Sequence, residues 1–314
     1  MTHPLRESRR ILSLVLSLVF LFAMAGCGGQ QENDDGSLNI VTTTTMLYDL
    51  TASIAGDHAH VTALMGPGID PHLYQASAGD VSKMQSADIV VYNGLHLEGK
   101  MGDVFAGLTD QGRNIICAGD GIDTAVLLSD ENNPDIYDPH VWFDTHIWMD
   151  VAKHTAAKLG EFDPDNAEDY NANLEVYLAD LQELDAYIAG RIAELPESSR
   201  VLVTAHDAFR YFGKAYGFDV RGLQGISTDA EAGTADVSNL AQFIADSKIK
   251  AIFVESSVPP KNIEALQAAV KAKGFEVAIG GELYSDSLGD AASGHDTYVT
   301  TCMANIDTIV DALK

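Results

Sequence analysis

The chain has 314 residues, of which 46 are acidic and 19 are basic, so its formal net charge is −27 at pH 7. Such an acidic protein lacks the positive surface that binding to nucleic-acid phosphates requires, and we therefore exclude nucleic-acid binding. A chain of this length suits two domains of ordinary size.

The first 26 residues are predicted to be a signal peptide. Three arginines within the first ten residues form a basic start, and residues 11–25 are apolar except for two serines. The apolar stretch is short for a membrane span and is flanked as in a secretory signal. Small residues precede Cys27, which predicts a lipobox in which Cys27 is diacylated and becomes the mature N-terminus. Ordinary signal cleavage that leaves a free cysteine is the alternative.

Residues 27–37 are polar and contain three glycines, which predicts a flexible tether between the lipid and the folded body. No second apolar stretch in the sequence is long enough for a membrane span. We therefore expect an extracytoplasmic protein that is lipid-anchored to the cell membrane, at the cell surface or in a periplasm.

Short apolar runs alternate with segments of helical spacing along the rest of the chain. The runs that we interpret as strands are 38–41, 61–64, 89–92 and 115–118 in the first half, and 201–204, 220–222, 251–254 and 277–279 in the second. This alternation predicts parallel sheets with helices on their faces. The predicted fold class is α/β, with two lobes, at 38–161 and 197–314, that each contain a four-stranded, mainly parallel sheet flanked by helices.

One long segment between the two lobes has apolar residues spaced three and four apart, which predicts a helix. Asp163 can cap its N-terminus, with Pro164 at the first helical position. We expect residues 162–196 to form one long rigid connecting helix, about 50 Å in length, that limits how far the lobes open. A long core helix within a single domain is the alternative.

Four side chains follow predicted strands closely. The tripeptide Asp-Pro-His occurs twice, ending at His72 and at His140, and proline restricts the backbone before each imidazole. His206 comes two residues after the strand at 201–204, and Asp286 follows the last predicted strand. All four residues are thus expected on loops at the carboxyl ends of strands, two from each lobe.

Ligands of open parallel sheets bind beyond the carboxyl ends of the strands, so we expect the four side chains to meet in the cleft between the lobes. Three imidazoles and one carboxylate saturate a tetrahedral zinc ion or supply most of a manganese shell. Taken singly, each would be interpreted as a surface histidine or a helix-capping aspartate. The surface interpretation is kept for the histidines at positions 58, 60, 96, 146, 154 and 295.

The stretches GPGIDPHLYQ, ADIVVYNGLHLEG, DPHVWFD, VTAHDAFRYFGKAYGF, GLQGISTDAEAG and LYSDSLG resemble a known family. This family comprises the zinc- and manganese-binding lipoproteins of bacterial ABC importers, the cluster A-I or TroA-like solute-binding proteins. The resemblance runs from about residue 38 to residue 314. It implies metal ligands at His72, His140, His206 and Asp286, and two four-stranded α/β lobes joined by one long helix.

The resemblance also implies a function. Zn²⁺ or Mn²⁺ would be the transported ligand, captured in the cleft and delivered to an ABC transporter permease. The protein would not be an enzyme, and we expect a monomer.

The choice between the two metals stays open. Members with glutamate at the third ligand position are often manganese proteins, whereas this chain has His206 there. Many zinc-capturing members carry a His-rich loop before the second ligand, but residues 120–137 contain no histidine. We expect zinc to bind more tightly in vitro, since manganese lies at the weak end of the affinity series.

Several residues outside the ligand set have two open interpretations. Glu255 is expected either to orient a ligand histidine or to be a buried structural carboxylate. The loop at 222–229 is expected to shape the site or contact the permease, or to be a structural turn. Cys117 and Cys302 are predicted to be buried free thiols, because they lie far apart in the chain.

Three other functions were weighed. A zinc-dependent hydrolase needs an open coordination position and a general base, and the chain has no His-Glu-x-x-His motif. A surface adhesin has no particular support in the sequence, although adhesion is compatible with transport. An iron-chelate or organic-ligand binder would need an aromatic or basic cleft, which four metal-type side chains argue against.

Overall fold

The computed structural model describes residues 36–130 and 133–314, so the predicted signal peptide and Cys27 lie outside the described residues. Residues 38–314 form a single unit by their internal contacts. Within the described ranges, none of the helices combines the length and the apolar character needed to cross a membrane.

Strands and helices alternate along the described residues, except that two helices lie between the fourth and fifth strands. The strands are β1 Leu38–Thr42, β2 Ala59–Ala63, β3 Ile89–Tyr92, β4 Asn114–Cys117, β5 Val201–His206, β6 Asp219–Gln224, β7 Ala251–Glu255 and β8 Ala278–Leu283. The helices are α1 Thr45–Ala55, α2 Ala78–Ser86, α3 Gly102–Asp110, α4 Thr145–Phe162, α5 Ala167–Ile192, α6 Arg210–Tyr216, α7 Thr234–Ser247, α8 Lys261–Ala272 and α9 Tyr298–Leu313.

The first four strands form one parallel sheet in the order β2-β1-β3-β4. Ile40 of the central strand β1 pairs with Val61 on one side and with Ile89 on the other. Apolar residues dominate β1 and β3 because helices cover both faces of such a sheet. All four strands point the same way, so the loops that carry His72 and His140 leave from the same edge of the sheet.

The last four strands are also parallel, but they form two hydrogen-bonded pairs, β5–β6 and β7–β8, with β5 beside β7. The predicted α/β class with parallel sheets and flanking helices is confirmed, whereas these strands do not form one continuous ladder. At the carboxyl end of β5, the backbone N–H of His206 donates to the side-chain carboxylate of Glu255, the last residue of β7.

The long helix is shorter than the periodicity predicts. After α4 ends at Phe162, Pro164–Asn166 form a 3-10 turn, and α5 then runs for 26 residues. The side chain of Asp163 caps neither the 3-10 turn nor α5. Its carboxylate instead accepts hydrogen bonds from Tyr170 Oη and Asn166 Nδ2. The helix α5 is therefore about 39 Å long.

The apolar face of α5 is buried against helices from both halves of the chain, α1 and α4 from the first and α9 from the second. The largest buried apolar cluster accordingly contains residues of both halves, such as Trp142 and Tyr298. Two smaller clusters each belong to one half, one around Val90 and the other around Ile252. The halves therefore share one core and each keep a core of their own.

The two described cysteines, Cys117 and Cys302, are free and half-buried. Cys117 ends β4, which lies where the sequence predicts a strand, and Cys302 lies in α9. Both are less buried than expected.

Candidate metal centre

The structure brings the four predicted ligand side chains together at the carboxyl ends of the strands. One nitrogen or oxygen atom from each of His72, His140, His206 and Asp286 lies within 4.8 Å of the other three. All four residues are at most 3% exposed. The Nε2 atoms of His72 and His206 each lie 3.3 Å from Nε2 of His140. The imidazoles therefore direct three nitrogen donors at one point.

The carboxylate of Asp286 completes the cluster. Its Oδ1 lies 3.4 Å from Nε2 of His140, and its Oδ2 lies 3.3 Å from Nε2 of His206 and 3.9 Å from Nε2 of His72. Both oxygens are buried and accept no hydrogen bond from the described part of the chain. A buried carboxylate in this condition is costly, and a cation held by the same imidazoles would compensate for it.

Each of the four residues lies at the carboxyl end of a strand or on the connection that follows it. His72 lies on the loop after β2, and His140 lies on the long connection from β4 to α4. His206 is the last residue of β5, and Asp286 comes three residues after the end of β8. Because parallel strands end at one edge, residues far apart in sequence meet there.

Two buried carboxylates hold two of the imidazoles from the side away from the cluster. Nδ1 of His140 lies 2.7 Å from Oδ1 of Asp138, and Nδ1 of His206 lies 2.5 Å from Oε2 of Glu255. Each carboxylate also accepts the backbone N–H of the histidine that it holds. With Nδ1 bonded, Nε2 of each ring is free to face the centre, an arrangement typical of metal-binding histidines.

The geometry of Glu255 favours the orienting role over the purely structural one. The corresponding role of Asp138 was missed by the sequence analysis. Its only signal was its position two residues before a predicted ligand in the repeated Asp-Pro-His tripeptide.

The two Asp-Pro-His tripeptides differ in what the aspartate contacts. Both aspartates accept the backbone N–H of the histidine two residues later. The second carboxylate oxygen of Asp70, however, accepts the hydroxyl of Thr228 at 2.6 Å and does not bond the ring of His72. Thr228 belongs to the loop at 222–229, so this loop contacts the loop that carries His72.

Burial and charge act on the cluster in opposite directions. Burial lowers the pKa of His72 to about 3. Burial also lowers the pKa of His140, but Asp138 and Asp286 outweigh it and raise the pKa to about 9. For His206, Glu255 and Asp286 likewise outweigh burial, and its pKa lies well above the usual value.

The carboxylate of Asp286 is subject to the same competition between burial and neighbouring charge, but with the two effects on its pKa reversed in sign. Burial raises the pKa of Asp286, but His206 and His140 hold it well below its usual range. The neighbouring imidazoles thus favour the charged form of Asp286, the form that a metal ion needs. A metal ion that binds a protonated imidazole must displace its proton.

The six histidines that were interpreted as surface residues are not part of the described cluster. His58 instead lies 2.8 Å from a carboxylate oxygen of Asp169, and His146 is exposed on the first turn of α4. Of the six, the histidines at positions 60, 96 and 146 are exposed and those at 58, 154 and 295 are half-buried.

Fold and site together define an α/β protein of the binding-protein class, in which loops from both halves of the chain build one buried cluster of cation-binding side chains. The family model described as the zinc-uptake complex component A, periplasmic (ZnuA), matches residues 40–312. The chain belongs to this family.

Individual relatives agree with the family match. The chain is 46% identical over 305 residues to the zinc-binding protein TroA of Treponema pallidum, covering 97% of this chain and 98% of that protein. It is 44% identical over 295 residues to the manganese-binding lipoprotein MntA of Bacillus subtilis, covering 93% and 96% respectively. The solved structure of the periplasmic zinc-binding protein TroA matches with a TM-score of 0.86 at 48% identity, covering 88% of this chain and 99% of that chain.

Proposed function

We propose that this protein captures a divalent transition metal, zinc or manganese, outside the cytoplasm and delivers it to an ABC transporter permease. The observation that carries this proposal is the buried cluster of three imidazoles around Asp286, whose two oxygens accept no hydrogen bond from the described residues. The names of the relatives support it, since TroA is called zinc-binding and MntA is called a manganese-binding lipoprotein.

The proposed ligands are Nε2 of His72, His140 and His206 together with the carboxylate of Asp286. Histidine nitrogens and a carboxylate suit both metals, and three nitrogens favour zinc over manganese in the affinity series. We expect zinc to bind more tightly in vitro. The cargo is held and released without any chemical change, so the four residues act as donors and not as catalysts.

This geometry favours capture over zinc-dependent hydrolysis. A catalytic zinc site keeps one coordination position for water or substrate, whereas the four donors here can fill a tetrahedral shell. Two further buried carboxylates beside the site, those of Asp138 and Glu255, already bond the ligand imidazoles through Nδ1. They are therefore engaged in orienting the ligands and not available to activate a water molecule.

The remaining proposals concern the organisation of the chain. Residues 38–161 and 197–314 act as two lobes, joined by the connecting segment that contains α5, and the protein works as a monomer. The common contact of α5 with both halves supports the role of this helix. Lipidation of Cys27 would tether the protein to the membrane, which is supported by the relative that is named a lipoprotein.

Metal analysis tests the function directly. Protein purified without added metal should contain up to one zinc or manganese ion per chain, and competition between the two ions should rank their affinities. His140→Ala and His206→Ala should lose most of the affinity and keep the fold. The matched control is His146→Ala, an exposed histidine outside the cluster. Wild-type protein that binds neither ion, or a His140→Ala variant that binds as well as wild type, would contradict the proposal.

A further inference from the structure

The two halves of the chain are joined firmly on the side of the site that contains His140. Trp142 and Phe143 pack with Phe209 and Tyr298 in the apolar cluster that both halves share. Tyr298 Oη donates to the carbonyl of Trp142 at 2.6 Å, and Trp142 Nε1 donates to the carbonyl of Ser285 at 3.0 Å. Separating the halves here would expose a large apolar surface to water.

The loop before His140 is fastened to the second half in the same way. The buried hydroxyl of Tyr211, on α6, donates to the carbonyl of Asp138 and accepts the backbone N–H of Leu128. His140, His206 and Asp286 are therefore held in place by packing as well as by hydrogen bonds. These three ligands form a rigid part of the site.

The loop that carries His72 is attached differently. Its apolar residues Met65 and Tyr74 pack in a cluster whose described members all come from the first half of the chain. Ile69 and Leu73, on either side of the Asp-Pro-His tripeptide, are 41% and 49% exposed. The loop can therefore move away from the second half without uncovering the shared core.

For residues 66–73, the structure records contacts with the second half of two kinds: those of the His72 ring inside the ligand cluster, with His206 and Asp286, and hydrogen bonds of the loop outside the cluster. The backbone N–H of Gly68 donates to Ser287 Oγ at 2.8 Å, and Asp70 Oδ2 accepts the hydroxyl of Thr228 at 2.6 Å. Next to Thr228, Asp229 forms a 2.9 Å ion pair with Lys100, in which both side chains are more than one-third exposed. Water can replace the exposed ion pair at small net cost, whereas the Thr228–Asp70 hydrogen bond is the stronger of these contacts.

The two histidines of the Asp-Pro-His tripeptides also differ in how their rings are held. The ring of His140 is bonded to the aspartate of its tripeptide, whereas the ring of His72 is not. Moving His206 would break the buried bond of its ring to Glu255, and moving the loop of His140 would break the bond of Tyr211 to Asp138. His72 can instead move with its loop while Asp70 still accepts the backbone N–H of His72. The two copies of the tripeptide are thus built for different tasks.

We infer that the His72 loop is the gate through which the metal enters and leaves, and that the Thr228–Asp70 hydrogen bond is the latch of this gate. The inference rests on the proposed metal-capture function. Opening the loop removes one of four ligands and leaves the rigid three in place, so the ion becomes accessible to water or to another ligand without unfolding of the core.

The test is the rate at which zinc is lost to an excess of a strong chelator, measured by stopped flow. Thr228→Val, which keeps the shape of the side chain and removes its hydroxyl, should release zinc about tenfold faster than wild type, the effect expected from loss of one charge-assisted hydrogen bond. Thr228→Ser should restore slow release. The matched control is Ser227→Ala, whose hydroxyl oxygen accepts the backbone N–H of Asp229 in the same loop.

Two further measurements separate a latch from damage to the metal shell. The visible absorption of the Co²⁺-loaded Thr228→Val protein should match that of wild type, because all four ligands remain. Asp70→Asn should add little to the release rate in the Thr228→Val background, because the two residues share one interaction.

The latch would be overturned if Thr228→Val released zinc at the wild-type rate or if Thr228→Ser released it fast. A Co²⁺ spectrum of Thr228→Val that differs from that of wild type would also overturn it. Wild-type protein that fails to retain zinc would overturn the proposed function and the latch with it. The two failures are therefore distinguishable.

Discussion

Glu255 holds His206 at two points: its Oε2 lies 2.5 Å from Nδ1 of the ring, and its Oε1 accepts the backbone N–H of the same residue at 2.8 Å. Both residues are buried at the carboxyl ends of adjacent strands, β5 and β7. One carboxylate therefore sets the ring orientation of a proposed ligand and satisfies the backbone donor where β5 leaves its sheet.

The first prediction concerns this carboxylate. Glu255→Gln should weaken zinc affinity about 10- to 100-fold, because an amide orients the ring less strongly and makes its Nε2 a weaker donor. Affinity is measured by competition with a chelator of known strength, and circular dichroism monitors the fold. Glu264→Gln, an exposed carboxylate on α8, is the matched control and should bind as wild type does. Unchanged affinity of Glu255→Gln would show that the ring needs no such partner.

The second prediction concerns stabilisation by the cargo. Metal that binds only the folded state should stabilise the protein by about 2.7 kcal/mol when free metal is a hundred times the dissociation constant. Thermal unfolding should therefore shift upward on addition of zinc and back again on addition of a chelator. In His140→Ala the same titration should produce little shift, and a full shift there would argue that the ion binds elsewhere.

The third prediction concerns the helix α5. Leu181 is fully buried on the face that packs against both halves, so Leu181→Ala should cost about 2–5 kcal/mol of unfolding free energy. On the opposite face of the same helix, Val176 is 64% exposed, and Val176→Ala should stay within about 0.5 kcal/mol of wild type. Chemical denaturation measures both values. Equal effects of the two substitutions would contradict the assignment of the buried face.

The fourth prediction concerns Asp49 and pH. Burial raises the pKa of Asp49 to about 6, although its carboxylate accepts the backbone N–H of Tyr298 at 3.2 Å, and Asp296 raises the pKa further. The folded protein then binds the proton more tightly than the unfolded chain does, so this group makes stability decline as the pH rises from about 4 to about 6. Ionised Asp49 is thus unfavourable at neutral pH.

Asp49→Asn keeps the shape and the acceptor oxygen and removes the charge. We expect it to raise the unfolding free energy by about 1–2 kcal/mol at pH 7, below the limit of about 3 kcal/mol that the full pKa difference would allow, because the carboxylate is partly exposed. The gain should shrink towards pH 4. Denaturation midpoints at several pH values check this, and a gain that does not depend on pH would exclude the titration of Asp49 as its cause.

The sequence predicts the fold class and the four clustered side chains well, for physical reasons. Helical and strand periodicities are local properties, so the alternation of apolar runs indicates parallel sheets without knowledge of their contacts. Strand ends at one edge of a sheet must lie near each other, which is why His72, His140, His206 and Asp286 can be chosen from their positions after strands. A resemblance across nearly the whole folded part then supports the same choice.

Other features lie beyond local patterns. The side chain of Asp163, before the 3-10 turn at Pro164–Asn166, accepts a hydrogen bond from Tyr170, and Glu255 accepts the backbone N–H of His206 at the end of β5. Neither contact has a periodic signal, because each joins groups whose distance is decided by packing.

The two Asp-Pro-His tripeptides show most clearly which features the sequence determines locally and which depend on the tertiary structure. The sequence by itself determined that each copy restrains the backbone before a histidine at the end of a strand, since proline acts on its own dihedral angle and on the residue before it. Only the tertiary structure decided that Asp138 turns to the ring of its own histidine while Asp70 turns to Thr228 in the other half. A carboxylate bonds whichever donor the folded chain places within about 3 Å, and for Asp70 that donor lies 158 residues away in sequence.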